Sequence, residues 1–382
     1  QADRHGRARA QLWPSAGENV AILWQPVAVR WPQPRTRPML CSPAVSDQPF
    51  DRVVAIGDLN GAFDVLCEIL LGTGVIDRDE RWRGGRTHLI QIGDIFNRGG
   101  GARAAFELLG ALTPRAAAAG GRVTVLLGNH EVMTALGNEA YCTADEYLAF
   151  ASVRQRRTWP GRVSRAQSTL YRDHPDGGPI EPLAPRLEAW KISNVPGRAA
   201  MRRALGPRAK LGRALRQLPV VTRSAGCLFC HGGLTPRWAR LGIDGINQRA
   251  AQAWAEAPPF FRDLPRTSLF TASRGPLWNR DYALRDNVRV RNQLTRALDQ
   301  LGAKRMVVGH TQTRHVAGGE PGRIALRHDD RLVCIDVGLG CGDPSPCTAL
   351  VIAAGEGREW TPDGERVLWR DRRPSQRKRQ RK

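Results

Sequence analysis

The sequence predicts a protein of the α/β class, and two observations support this prediction. Short runs rich in β-branched and aliphatic residues each end in a polar cluster led by glycine. Segments with apolar residues every three or four positions, typical of helices, lie between these runs. Strand, polar loop and helix repeated in this way are typical of α/β proteins, which present side chains at the ends of their strands.

The predicted elements follow one another in a regular order from residue 52 onwards. The first three strands are predicted at 53–56, 89–92 and 123–127. The two helices between them each have one apolar face, formed by Phe63, Leu66, Ile69 and Leu70 and by Ala105, Leu108, Leu109 and Leu112. Later strands are predicted at 218–222, 227–230, 305–308, 332–337 and 349–353, with a helix at 287–301.

The chain divides into one domain with additions. Residues 51–355 form the predicted domain. The alternation of predicted strands and helices stops at 151–216, which contain Pro160, a Gly-Gly-Pro turn and Arg-rich helical fragments. These features indicate a helical insertion or cap. Residues 1–50, rich in Arg, Pro and Trp, are predicted to be a disordered lead-in. Residues 356–382 are predicted to be a basic C-terminal tail.

Composition excludes several classes of protein. The 382 residues are 41% hydrophobic and 25% charged, which is ordinary for a globular protein and excludes wholesale disorder. No apolar run is long enough for a transmembrane helix. The net charge of +22 is concentrated in residues 1–50 (+3), 151–216 (+11) and 370–382 (+7), so the rest of the chain is close to neutral.

The basic stretches have more than one interpretation. Residues 151–216 fit a helical cap with a solvated face, and they also fit a surface on which Arg154, Arg156 and Arg157 attract acidic substrates. The tail lacks interleaved aromatic residues, so we expect only non-specific contact with nucleic acid or an anionic surface. The sequence gives no indication of oligomeric state.

The cysteines favour a reducing compartment. Several of the eight lie in predicted buried strands, where they fit small core residues, so we expect a cytoplasmic location. Export stays open because the chain begins at Gln1 rather than Met. Residues 227–231 match the haem-attachment pattern C-x-x-C-H, but they lie on an apolar strand. Cys341 and Cys347 are the only pair that suggests a disulfide.

Five polar clusters carry the chemistry of the chain. They lie at the ends of predicted strands and read GDLNG at 57–61, GDIFNRG at 93–99, GNHE at 128–131, HGG at 231–233 and GH at 309–310. Oxygen and imidazole ligands without thiolate suit Mn, Fe or Zn, with room left for water. Taken singly, Asp58 also fits a helix cap and His310 a structural histidine. Five such clusters together are hard to explain as caps.

The order and spacing of these clusters resemble the calcineurin-like metallophosphoesterases. Within that superfamily the chain is most similar to the phosphoprotein-phosphatase branch and its bacterial Shewanella-like members, whose pattern is GDxHG, GDxxDRG, GNHE, HGG and GH. The resemblance extends from Arg52 to Ala354 and includes the string GPLW at 275–278. It implies a four-layer αββα sandwich with a helical insertion, and two divalent metal ions at the strand ends, Mn first with Fe or Zn as alternatives.

The resemblance also implies a role for each site residue. Asp94 would bridge the two metals, Asp58 and Asn60 would complete the first metal site, and the second would be completed by Asn129, His231 and His310. His130 would protonate the leaving alkoxide, oriented by the residue at position 97, here Asn97. Arg98 would clamp the phosphate, and Arg280 is a weaker candidate for that task. The two metals would activate a water and neutralise the phosphoryl oxygens.

Two positions depart from the family pattern. Asn60 stands where the family has His, and a neutral carbonyl oxygen is a poorer ligand for these metals than imidazole, so we expect a weak first site. Asn97 stands where the family has Asp, and it can bond His130 without supplying a negative charge, which should weaken the acid.

Two functions from different classes follow from these observations. The first is a metal-dependent phosphoesterase that hydrolyses phosphomonoesters of a phosphoprotein or a small phosphate ester, with an activity that the two asparagines would reduce. The second is a weak or inactive member of the same fold that binds phosphorylated or polyanionic partners. Hydrolysis of dinucleoside polyphosphates is a further enzymatic alternative, since relatives in the same branch perform it.

Overall fold

The computed structural model describes residues 50–172, 183–341 and 346–371. The predictions for residues 1–49 and for the last eleven residues lie outside this part of the chain. Two β-sheets form the centre of the molecule, and helices flank them. The α/β class and the two-sheet architecture predicted from the sequence are confirmed.

The strands of the described residues are numbered in chain order. They are β1 Arg52–Ile56, β2 Thr87–Gln91, β3 Arg122–Val125, β4 Val221–Ser224, β5 Cys227–Cys230, β6 Arg305–Val308, β7 Ala325–Arg327, β8 Leu332–Cys334, β9 Ala349–Ala353, β10 Glu356–Thr361 and β11 Gly364–Arg370.

The first sheet has six strands in the order β11-β10-β9-β1-β2-β3. Strands β1 to β3 pair in parallel, whereas β9, β10 and β11 are antiparallel to their neighbours. Residues of β1 and β2 are almost fully buried, as expected for parallel strands covered on both faces.

The second sheet has five strands in the order β4-β5-β6-β8-β7. Its three central strands are parallel, and the two edge strands are antiparallel to them. Both sheets therefore contain a parallel core, in which neighbouring strands end at the same edge.

A buried histidine bonds one sheet to the other. His88 on β2 contacts Ser224 Oγ on β4 through Nδ1 at 3.0 Å, and Thr124 Oγ1 on β3 through Nε2 at 2.9 Å. Burial, with a smaller contribution from the charge of Arg122, lowers the pKa of His88 to about 3. The imidazole is therefore neutral when the protein is folded.

Helices connect the strands and cover the sheets. They are α1 Phe63–Gly72, α2 Ala102–Ala118, α3 Asn129–Ala135, α4 Ala144–Leu148, α5 Val153–Arg172, α6 Leu183–Asn194, α7 Arg198–Leu205, α8 Lys210–Arg216, α9 Pro236–Ala239, α10 Gly242–Ala255, α11 Asp281–Leu284 and α12 Val288–Gln300. Their buried positions include Leu66, Ile69 and Leu70 of α1 and Leu108, Leu109 and Leu112 of α2, which belong to the predicted apolar faces.

The stretch 151–216 is helical where it is described. Helix α5 continues through Pro160, and it packs on α6 through the stacked rings of Trp159 and Trp190, whose centroids are 5.7 Å apart. Met201 and Leu205 of α7 are buried against the domain. Among the described residues, none of the helices combines the length and the apolar character that crossing a bilayer requires.

Three predictions about the second half of the chain need correction. The predicted tail does not begin at 356, because 356–370 form β10 and β11 and extend the first sheet. The strand predicted at 332–337 ends at Cys334, so the following residues form a loop. Cys341 and Cys347 are free thiols and form no disulfide.

Candidate active site

The polar clusters converge because parallel strands end at a common edge. Asp58 and Asp94 follow β1 and β2, and Asn129 begins α3 just after β3. From the other sheet, His231 follows β5 and His310 follows β6. Residues that end neighbouring parallel strands lie side by side, and the two facing sheets bring their ends together. One ligand atom each from Asp94, His231 and His310 lie within 4.8 Å of one another.

Glu131 shapes the loop that carries Asp94. It is completely buried, and its carboxylate accepts hydrogen bonds from the backbone N–H groups of Asp94 at 2.8 Å, Ile95 at 2.7 Å and Phe96 at 3.1 Å. It also accepts from Gly128 N at 2.8 Å. Asp94 Oδ1 in turn accepts from His130 N at 2.9 Å. These bonds leave Asp94 Oδ2 directed at the histidines.

His231 connects the two sheets at the centre of the site. Its Nδ1 bonds the carbonyl oxygen of Ile92 at 3.0 Å, which directs Nε2 towards Asn129 Oδ1 at 2.9 Å and Asp94 Oδ2 at 3.3 Å. Burial alone would lower the pKa of His231, but the negative charges of Asp94 and Asp58 raise it to about 10. A metal ion bound at Nε2 would therefore displace a proton.

His310 offers an unused ligand atom. Its buried Nε2 has no hydrogen-bond partner among the described residues, while its Nδ1 lies 3.5 Å from a guanidinium nitrogen of Arg280. Its backbone N–H donates to both oxygens of Asp58 at 3.1 Å. An orphaned imidazole nitrogen beside a carboxylate and a second imidazole fits a divalent metal ion, since these are ligands for Mn, Fe or Zn. The residues present therefore fit the metal that the sequence predicts.

Several buried acids crowd the site. Burial and the nearby carboxylates of Asp336 and Asp94 raise the pKa of Asp58 well above its usual range. Burial and the charge of Asp94 raise the pKa of Asp336 to about 6 and that of Glu131 to about 7. Burial opposes ionisation of Asp94, but the neighbouring His130 and His231 hold its pKa below its usual range. Such a cluster favours a bound cation.

His130 and Asn97 form a hydrogen-bonded pair. Asn97 Oδ1 accepts from His130 Nδ1 at 2.7 Å, and His130 Nε2 then faces Asp94 Oδ2 at 3.7 Å. Burial lowers the pKa of His130, and the opposing charge of Asp94 raises it only in part. The amide of Asn97 adds no charge that would favour the imidazolium.

The two predicted phosphate-binding arginines lie at the rim, and both are exposed. Arg98 lies over the ring of Tyr141 with 5.7 Å between its guanidinium carbon and the ring centroid, and Tyr141 packs beside His130 with centroids 4.9 Å apart. Arg280 donates one hydrogen bond to the carbonyl oxygen of His310 and another, at 3.2 Å, to Thr311 Oγ1.

Asn60 lies next to the cluster and approaches it through the backbone. Its N–H donates to the carbonyl oxygen of Asp94 at 2.9 Å, and its side-chain amide donates to the carbonyl oxygen of Leu339 at 3.4 Å. Five of the predicted site residues share a left-handed backbone with positive φ, which non-glycine residues rarely adopt. They are Asn60 (φ 49°), Asp94 (54°), Asn97 (74°), Arg98 (65°) and His310 (62°).

Sequence reasoning missed four residues that shape the site: Asp336, Glu131, Glu146 and Tyr141. Asp336 follows a strand, as Asp58 and Asp94 do, but no glycine precedes it, and the predicted strand extended past it. Glu131 lay inside a recognised string without a role. Glu146 and Tyr141 reach the site from beyond α3, and neither belongs to one of the five clusters.

Comparisons with known proteins agree with this geometry. The model of the calcineurin-like phosphoesterase family matches residues 51–314. Shewanella-like protein phosphatase 2 of Arabidopsis thaliana is 29% identical over 300 residues, which cover 78% of this chain and 74% of that protein. Shewanella-like protein phosphatase 1 of Plasmodium berghei is 26% identical over 275 residues, covering 70% and 63%.

A solved structure supports the fold. The cold-active protein-tyrosine phosphatase of a psychrophilic Shewanella species superposes with a TM-score of 0.60 at 22% identity, covering 84% of this chain and 81% of that one. The family match spans most of the described domain and contains all five polar clusters. The chain belongs to the calcineurin-like phosphoesterase family.

Proposed function

We propose that this protein is a metal-dependent phosphoesterase that hydrolyses phosphomonoesters, on a phosphoprotein or a small phosphate ester. One observation carries the proposal: Asp94, His231 and His310 gather their ligand atoms within 4.8 Å beside His130, and His310 Nε2 has no partner among the described residues. The relatives named as protein phosphatases support it.

The ligand set would divide between two metal positions. Asp94 would serve both, Asp58 and Asn60 the first, and Asn129, His231 and His310 the second. When bound, the ions would supply Lewis acidity that lowers the pKa of water and offsets charge on the phosphoryl oxygens. His231 is already oriented for ligation, because its Nδ1 is held by the carbonyl oxygen of Ile92 and its Nε2 faces Asn129 and Asp94.

His130 would act as the general acid towards the leaving alkoxide. The bond from its Nδ1 to Asn97 leaves Nε2 for proton transfer. Burial lowers the pKa of His130 and so disfavours its protonated form, and turnover should be slower than with a carboxylate at position 97. Arg98 would bind the phosphate with its planar guanidinium, and Arg280 would add positive charge.

Hydrolysis of an aryl phosphate tests the proposal. Purified protein is stripped with a chelator, Mn²⁺ is titrated in, and bound metal is counted alongside turnover. We expect metal-dependent hydrolysis that Asp94→Asn reduces by about three orders of magnitude, since the variant loses the shared ligand. Asp145→Asn, an exposed change outside the site, is the matched control and should retain activity.

The alternative function is binding without turnover, and the neutral side chains of Asn60 and Asn97 favour it. In that case the stripped protein would take up one metal, bind phosphate and show no hydrolysis at any Mn²⁺ concentration. That result would overturn the phosphoesterase proposal.

A further inference from the structure

A buried carboxylate lies directly behind Asn97. Glu146 is on the short helix α4, is only 1% exposed and belongs to no predicted site. One of its oxygens accepts from the backbone N–H of Asn97 at 2.9 Å, and the other accepts from Asn97 Nδ2 at 3.3 Å. Burial raises the pKa of Glu146, and these two hydrogen bonds counter the rise.

Among the described residues, no basic side chain forms an ion pair with the buried carboxylate of Glu146. Its carboxylate accepts hydrogen bonds from Asn97, Cys142 and Thr143. A buried carboxylate without a cation is costly. Its presence at this position therefore calls for an explanation beyond packing.

The surroundings of Asn97 fix which end of its amide faces His130. Its Nδ2 donates to Thr134 Oγ1 at 3.0 Å and to Cys142 Sγ at 3.1 Å in addition to Glu146. A carboxylate can only accept hydrogen bonds, so a reversed amide would place oxygen against oxygen. The orientation that satisfies Glu146 is the one that directs Oδ1 at His130 Nδ1.

We propose that Glu146 is a positioning residue for His130, acting through Asn97, and that positions 97 and 146 form a pair that holds one negative charge. The family pattern that this sequence resembles has Asp at position 97, next to the histidine. Here the amide occupies that position, and the carboxylate is one hydrogen bond further away. Two buried carboxyl groups in hydrogen-bond contact would not both stay ionised, because their negative charges repel. Positions 97 and 146 would therefore hold one negative charge. The catalytic part of this inference rests on the proposed function.

A double-mutant cycle on the metal-free protein tests the pair without reference to activity. The four proteins are the wild type, Asn97→Asp, Glu146→Gln and the double variant, unfolded in urea at neutral pH. With Glu146 present, we expect Asn97→Asp to raise the equilibrium constant for unfolding by at least tenfold, because it adds a second buried carboxylate. In the Glu146→Gln background the same change should alter this constant less than threefold, about the additivity limit.

Asp145→Asn is the matched control. It removes a carboxylate from the same turn of α4, but Asp145 is exposed. Combined with Asn97→Asp, it should leave the effect of that substitution unchanged. Equal effects of Asn97→Asp in the wild-type and Glu146→Gln backgrounds would overturn the pairing.

Steady-state kinetics on an aryl phosphate test the positioning role. Glu146→Gln should lower kcat by about tenfold and leave KM within twofold, because Gln can donate as well as accept and no longer fixes the amide of Asn97. The double variant should regain at least the wild-type kcat, since the aspartate introduced at position 97 then faces His130 directly. A kcat unchanged in Glu146→Gln would overturn this role.

The two proposals fail in different ways. If neither the wild type nor any variant hydrolyses the ester, the proposed function falls, and the unfolding cycle alone decides whether positions 97 and 146 hold one charge. If the wild type is active and the cycle is additive, the pairing falls and the proposed function stands.

Discussion

At the scale of single residues, Asn60 and Asn97 stand where the family pattern has His and Asp. Asn97 Oδ1 accepts a hydrogen bond from His130 Nδ1, but its amide carries no negative charge. The family pattern has an imidazole at position 60, and in our proposal the amide of Asn60 is a poorer metal ligand. In our proposal both asparagines slow hydrolysis. Asn97 does so by weakening the general acid His130, and Asn60 by weakening the first metal site.

Asn60→His should strengthen the first metal site. An imidazole nitrogen is a better donor to Mn, Fe or Zn than an amide oxygen, and His is among the residues that tolerate the left-handed backbone at this position. We expect the Mn²⁺ concentration for half-maximal hydrolysis to fall by about tenfold, in the range seen when metal-site residues are altered. Metal counting by mass spectrometry and a Mn²⁺ titration of activity check this outcome.

Asn138→His, which adds an imidazole outside the ligand set, is the matched control for this prediction. The Mn²⁺ concentration for half-maximal hydrolysis should be the same in this variant as in the wild type. A variant at position 60 that binds no more metal than the wild type would show that the first site is not limited by this ligand.

Most of the site was predictable at this scale, because its residues stand in short strings at strand ends. The structure brings the predicted residues to one edge of the two sheets, and the sequence indicated most of them through glycine-led turns. Glu146 was not predictable, because its contact with Asn97 spans 49 residues and follows from where α4 packs. Asp336 was not recognised because the predicted strand 332–337 included it, whereas the observed strand ends at Cys334.

At the scale of elements, His88 on β2 bonds the two sheets to each other, and it makes stability depend on pH. Below its ordinary pKa of 6.5 the unfolded chain gains a proton at this residue, whereas the folded protein gains it only near 3. The contribution of His88 to stability is therefore lost as pH falls below 6.5.

His88→Gln should remove this sensitivity. Between pH 7 and pH 5, the free energy of unfolding of the wild type should fall by about 2 kcal/mol relative to that of the variant. Urea unfolding followed by tryptophan fluorescence at both values of pH gives the difference. His315→Gln, at an exposed position, is the control and should follow the wild type.

The hairpin formed by β10 and β11 was not predicted from the sequence. Six of the thirteen residues in its two strands are charged, as on a solvated surface, and residues 356–382 were predicted to be a tail. Glu359, however, is fully buried, accepts from Ile324 N at 2.6 Å and pairs with Arg323 at 2.7 Å. Trp369 packs against Gly357, where a Cβ atom would lie 2.2 Å from the indole ring.

Ending the chain at Gly355 should therefore destabilise the domain. The deletion exposes the edge of β9 and removes the buried Trp369, a loss of about 3–5 kcal/mol for the tryptophan alone, so Tm should fall by about 10 °C or more. A chain ending at Asp371 retains both strands and the ion pairs of Asp371 with Lys304 and Arg305, and it is the matched control. Equal melting of the two truncated chains in calorimetry would contradict this assignment.

At the scale of the whole molecule, charge is unevenly distributed. Residues 151–216 carry a net charge of +11, and the arginines on their described helices are largely exposed, including Arg154 and Arg157 of α5. A positive surface of this kind raises the local concentration of acidic partners, and salt screens it.

The proposed enzyme should accordingly prefer acidic phosphopeptides at low salt. Between about 50 and 300 mM salt, we expect kcat/KM for an acidic phosphopeptide to fall by about tenfold, and that for a small aryl phosphate by less than threefold. Arg154→Glu with Arg157→Glu should flatten this dependence. Arg249→Glu with Arg296→Glu makes the same change of charge on α10 and α12, and it should leave the dependence in place.

The left-handed backbone of the site also limits which side chains its loops accept. Most side chains cost about 1–2 kcal/mol in such a conformation, whereas Asn, Asp and His are tolerated there more readily. Both departures from the family pattern carry Asn at such a position. In the genetic code, Asn is one nucleotide away from both His and Asp. A single-nucleotide change in codon 60 or 97 would therefore place His or Asp on a left-handed backbone that tolerates it, so the loop would keep its conformation.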